Sequence, residues 1–123
     1  MFNKLGAVAY VLWGLLHLAA AAEGFRMAAA VEDALIQGRL FQNSWNLVIF
    51  SLTALGVGAL MNWRGSRTGY WINLIAVSAA DIGFIIFVLA PGLIPLFPGI
   101  LGPVFWLLGA LFSTLGLRAS RTA

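Results

Sequence analysis

Apolar residues run along the chain in four long blocks, and polar residues gather between them. The blocks cover about residues 5–22, 44–62, 69–90 and 99–117. Each is close to the roughly 20 residues that a helix needs to cross the hydrocarbon core of a bilayer. The uncharged run over residues 82–117 is too long for one span. Pro91, Pro95, Pro98 and Pro103 divide it, because proline cannot donate to a helix ladder and turns its preceding residue away from helix. Pro103, just after Gly102, suits the first turn of the last helix, where a missing N–H costs nothing. The pattern predicts an all-α integral membrane four-helix bundle, a single four-span domain over residues 1–123.

Two connections stand out. The first, residues 23–43, is long for neighbouring helices of a bundle. Its stretches at 28–30 and 31–36 favour helix, so either the first span continues past the membrane or a short helix lies on its outer face. The last connection, residues 90–99, carries no charge and holds Leu93, Ile94, Leu96 and Phe97. It is expected to dip into the interface, where its backbone needs protein or water partners. It reads as a proline-stiffened turn or as a lid over an outward-facing pocket.

Composition sharpens this picture. The chain is 62% hydrophobic and 9% charged, against about 25% charged in an ordinary soluble domain. A water-soluble globule and a disordered chain are both excluded. The seven basic residues lie at span ends rather than along one face, so the footprint of a nucleic-acid binder is missing. There is no cysteine, hence no thiolate metal site, iron–sulfur cluster or disulfide. Haem on His17 would lack a second histidine, and Glu23, six residues on, faces another side of a straight helix. No cofactor and no metal are expected.

Charge also orients the spans. Lys4, Arg64, Arg67, Arg118 and Arg121 fall on one side, Arg26 and Arg39 on the other with Glu23, Glu32 and Asp33. The positive-inside rule then puts both termini in the cytoplasm, in a multi-pass protein of a bacterial-type cell inner membrane. Trp63, Tyr70 and Trp71 mark the inner interface and Trp45 the outer one. Lys4, an apolar core and the small residues at 19–22 also resemble a cleavable signal peptide. Counting that segment as a retained span gives the better charge balance.

Candidate chemistry centres on Asp81, the one charged residue between Thr68 and Leu117. A carboxylate at that depth costs roughly 2.5–3.5 kcal/mol on insertion scales, so an idle one is unexpected. At 1.5 Å per residue it lies about 16 Å from Tyr70, near the midplane, and His17 lies about 20 Å from Lys4. The two are level within about one helical turn. Ser78 shares the face of Asp81, and Tyr10 and Trp13 share that of His17. Asn46 and Thr53 follow each other on the second span, and Asn73 continues the Asp81 stripe. His17, Asp81, Ser78, Asn46, Tyr10 and Trp13 are therefore the expected polar core, converging on a pocket open towards the outer face. Small residues at helical spacing (Gly6 and Gly14, Ala54 and Gly58, Gly109 and Ser113) mark where spans approach closely.

Four functions fit this core. The leading expectation is a binding or accessory module for a lipid-like or small apolar ligand, with membrane lipids around it and self-association of the chain. The others are a proton-coupled small-molecule transporter using Asp81 and His17, a membrane-embedded acid–base enzyme, and a purely structural subunit whose polar residues only fix helix register. The ordinary pKa of His17 suits proton transfer near neutrality. No nucleophile-elbow motif surrounds Ser51 or Ser78, which removes a hydrolase triad. Length and four spans resemble the small multidrug-resistance transporters, whose first span carries a glutamate where this one has Trp13, Gly14 and His17. A four-span core with an intramembrane histidine and acid resembles the sterol-isomerase-like membrane proteins. Neither resemblance carries a residue role over to this chain.

Overall fold

The computed structural model describes residues 1–122, and of Arg121 and Thr122 the backbone alone. Arg121, counted above for the charge balance, thus has its side chain outside the described set, as is Ala123 at the end of the expected domain. All regular structure among the described residues is helical. Helix α1 spans Phe2–Ala29, α2 Ala34–Leu60, α3 Arg67–Phe84, the short α4 Leu96–Gly99, and α5 Leu101–Thr122. A 3₁₀ turn at Asn62–Arg64 follows α2, and a π-helical turn at Ile85–Leu89 ends α3. Among the described residues four stretches are long and apolar enough to cross a membrane: Phe2–Ala29, Ala34–Arg64, Arg67–Leu89 and Leu96–Ser120. They overlap the four blocks expected from the sequence.

In the first connection the first span continues past the apolar block, one of the two arrangements expected there. The other, a separate short helix within residues 23–43, is not found. Helix α1 continues to Ala29 and α2 begins at Ala34, leaving only residues 30–33 between them. Asp33 makes the tight reversal possible. Its Oδ1 accepts from the backbone N–H groups of Leu35 and Ile36, both at 2.9 Å, two donors that a helix start leaves unpaired. Gln37 reaches back and donates to the carbonyls of Ala28 at 3.2 Å and Val31 at 3.1 Å, which closes the end of α1.

Helix α1 packs on α2 along one side and on α5 along the other, while α3 fills the remaining corner between α2 and α5. Thus α1 and α3 face each other across a diagonal. Small residues allow the close approaches. A Cβ on Gly14 would come 2.9 Å from the Ser51 carbonyl oxygen, and one on Gly6 would come 2.8 Å from the Ser113 backbone nitrogen. A Cβ on Gly109 would meet the Tyr10 ring at 2.9 Å. Such contacts replace the hydrophobic drive that lipid removes. The centre of the bundle is a cluster of Tyr10, Trp13, Ala54 and Val77, with Phe50, Ala80, Phe105 and Trp106 against it.

The α2–α3 hairpin turns on Gly65, whose φ of 73° is left-handed, a conformation that glycine adopts without steric cost. Ser66 then caps α3 by accepting from the Gly69 N–H at 3.2 Å. The last connection carries its apolar residues outward, with Leu93, Leu96 and Phe97 exposed. It delivers the chain directly to Gly102 in the first turn of α5.

Candidate functional site

Asp81 is wholly buried, and three residues of the other helices close around it. Trp13 of α1 donates its indole N–H to Oδ2 at 2.8 Å. Only a long side chain carrying a donor at its far end bridges the diagonal this way. His17, one turn further along α1, sets its Nε2 3.7 Å from Oδ1. That separation is beyond a hydrogen bond, and Oδ1 has no other partner among the described residues. Gly102 of α5 forms the third wall. A Cβ there would come 2.8 Å from His17 Cε1, 3.2 Å from Nε2 and 3.5 Å from Asp81 Oδ1.

The histidine is held in orientation by its own helix. Its ring stacks on Trp13 with centroids 3.8 Å apart and planes 20° apart. Its Nδ1 lies 2.8 Å from the Trp13 carbonyl oxygen. A carbonyl only accepts, so Nδ1 carries the hydrogen. Nε2 is then the nitrogen that faces Asp81. If the ring is neutral and the carboxylate ionised, two acceptors face each other. One proton, on Nε2 or on Oδ1, resolves the conflict in either position. Trp13 thus contacts both members of the pair, through its carbonyl and its indole.

The other expected residues fall in different places. Tyr10 is buried one turn below Trp13, its ring against Gly109 and its hydroxyl without a partner among the described residues. Ser78 does not join the pair. It accepts instead from the Trp106 indole of α5 at 2.8 Å, so it ties α3 to α5. Asn46 is exposed on α2 and takes no part in the core. The inward face of α2 is the stripe Ser44, Ser51, Ala54 and Gly58, from which Asn46 is rotated away. Gly102 and Trp106 were not anticipated as parts of the core. Their sequence signal was slight, a glycine before a proline and an aromatic in an apolar block.

A second polar layer lies towards the α2–α3 hairpin. The buried amides of Asn62 and Asn73 meet at 3.3 Å, and the Tyr70 hydroxyl bonds the Thr114 hydroxyl at 3.0 Å. Val77 is buried one turn from both Asn73 and Asp81 on α3. With Tyr10, Trp13 and Ala54 it forms an apolar layer that separates the two polar ones. Among the described residues no group of three His, Cys, Asp or Glu side chains could hold a metal. No family model, no curated protein and no solved structure matches the chain, so the chemistry of this site rests on its own geometry.

Proposed function

We propose that the chain is a small multi-pass inner-membrane protein, both termini cytoplasmic, that receives the polar head of a lipid-like or small apolar ligand at His17 and Asp81. One observation carries this reading. Asp81 Oδ1 is buried without a hydrogen bond while facing His17 Nε2 at 3.7 Å. An unsatisfied buried acceptor costs about 1–3 kcal/mol, more if charged. Intramembrane carboxylates seldom stay idle. A hydroxyl or similar group bridging Oδ1 and Nε2 satisfies both atoms at once. The apolar connection before Gly102, with Leu93, Leu96 and Phe97 turned outward, suits the passage of an apolar body from the outer half of the bilayer.

Native mass spectrometry of the gently purified protein tests this. The expected result is a co-purified small molecule or lipid that is lost in Asp81→Asn and His17→Ala while both variants keep their helical circular dichroism. A bare protein, with no thermal shift across a panel of hydroxyl-bearing amphiphiles, rejects the assignment.

A second reading draws on the single proton shared by Nε2 and Oδ1, and makes the pair the titrating element of a proton-coupled transporter. The apolar layer of Tyr10, Trp13, Ala54 and Val77 closes the path on the hairpin side, so this reading requires a second conformation. Proton-driven flux in proteoliposomes that survives Asp81→Asn eliminates it.

A further inference from the structure

Helix α3 is the least covered of the four spans, with 17% of its apolar window buried against 39% for α1. Between it and α2 runs an open groove of about 600 Å³, lined by Phe50, Thr68, Trp71, Ile72, Ile75 and Ala79 among others. The α3 positions recur at three and four residues and so form one face of that helix. From Thr68 to Ala79 they span about 16 Å at 1.5 Å per residue. Half of a roughly 30 Å hydrocarbon core is about the same length. The groove therefore fits one leaflet.

Its end is defined by the α2–α3 hairpin, which carries Arg64 and Arg67. Both are exposed. Arg67 precedes Trp71 and Ile75 by four and eight residues, on the same line down the helix. The chain has four acidic residues, Glu23, Glu32, Asp33 and Asp81. Three belong to the opposite end and the fourth is buried at the midplane. No acidic side chain is available to Arg64 or Arg67 at their end of the bundle. The aromatic side chains of Trp63, Tyr70 and Trp71 sit at this same level, as headgroup-level residues do. An apolar trough one leaflet long thus ends beside two exposed guanidinium groups that have no acidic partner among the described residues.

We infer that this groove is a binding site for an anionic phospholipid, one acyl chain lying along α3 from Thr68 to Ala79 beside Phe50 of α2 and the phosphate resting on Arg64 and Arg67. Guanidinium forks match phosphate oxygens in pairs. The site lies on another face of the bundle from His17 and Asp81 and stands independently of them.

The test uses the purified full chain in detergent, titrated with phosphatidylglycerol and with phosphatidylcholine of identical acyl chains, bound lipid being counted by native mass spectrometry. Each basic residue at the surface contributes about fivefold in affinity for an anionic headgroup. Wild type is expected to prefer phosphatidylglycerol by more than tenfold, and Arg64→Gln with Arg67→Gln to bring the two lipids level. Arg118→Gln, on α5, removes the same kind of charge without touching the groove and keeps the preference. Ala79→Phe, which fills the far end of the trough, weakens both lipids. Equal affinity of wild type for the two lipids overturns the proposal, and so does a preference that survives the double arginine variant. A dimer that Ala79→Phe dissociates, with lipid binding unchanged, assigns the groove to a second copy and overturns it too.

Discussion

Trp13 and Asp81 are joined across the diagonal of the bundle by a 2.8 Å hydrogen bond from the indole N–H to Oδ2. The indole thereby satisfies one oxygen of a carboxyl group that the fold otherwise leaves exposed to cost. Trp13→Phe keeps the bulk of the side chain nearly intact but strips the donor. Both Asp81 oxygens are then unsatisfied, and the loss is expected at about 1–3 kcal/mol. Asp81→Leu alone leaves the buried Trp13 indole N–H without its acceptor and is expected to cost a similar amount, whereas Trp13→Phe combined with Asp81→Leu removes both partners and is expected to be nearly neutral. Unfolding in mixed micelles should therefore rank both single variants clearly below wild type and the double variant close to it. A loss in the double variant as large as in either single one would show that the pair is retained for stability and would weaken the ligand reading.

The Trp13 carbonyl also fixes the protonation of His17. With Nδ1 at 2.8 Å from an oxygen that only accepts, the neutral ring must be the Nδ1–H tautomer. Nitrogen-15 spectra of labelled protein in bilayers distinguish the two neutral forms directly. Resonances of an unprotonated Nδ1 with a protonated Nε2 would contradict this geometry, and with it the single-proton arrangement between His17 and Asp81.

Gly102 is a narrower probe of the same place. An alanine there puts a methyl group 2.8 Å from His17 Cε1 and 3.2 Å from Nε2, so the ring must leave its stacked position on Trp13. Overpacking of this sort costs about 1–3 kcal/mol. Gly102→Ala is expected to lower the melting temperature and to abolish capture of any ligand held by His17. A variant of unaltered stability that still carries ligand would mean that the space beside His17 is freer than the contacts imply.

Apolar blocks made the four spans legible because a helix in lipid needs little besides length and hydropathy. The depth match of His17 and Asp81 was legible for the same reason, since helical rise converts residue number into height. Other features escaped. The charges at Glu23, Arg26, Glu32, Asp33 and Arg39 end the apolar blocks but not the helices, so the sequence leaves open whether the first span continues or a short helix follows it. Only the Asp33 cap signals where the backbone turns. The spacing of Asn46 from Thr53 points it to the core, yet it lies two residues from Ser44 and five from Ser51. On a helix of 3.6 residues per turn neither step returns to the same face. Trp13 was placed beside His17, but that its indole would be the closer partner of Asp81 depends on diagonal packing, which no spacing along one helix encodes.

The glycines offer a final contrast within the spans, because identical substitutions meet opposite surroundings. In α1, a Cβ on Gly14 falls 2.9 Å from the Ser51 carbonyl oxygen and 2.7 Å from Leu55. Backbone cannot give way as a side-chain tip does, so α1 and α2 must separate. Gly14→Ala is expected to cost about 1–3 kcal/mol. In α2, a Cβ on Gly56 meets nothing within 4 Å. Alanine there only restrains the helix backbone and is expected to be neutral or to stabilise by up to about 0.5–1 kcal/mol. Parallel unfolding of the two variants measures the difference. Equal stabilities would mean that α1 and α2 do not approach at Gly14 as closely as described, and the diagonal reach of Trp13 to Asp81 would lose its geometric basis.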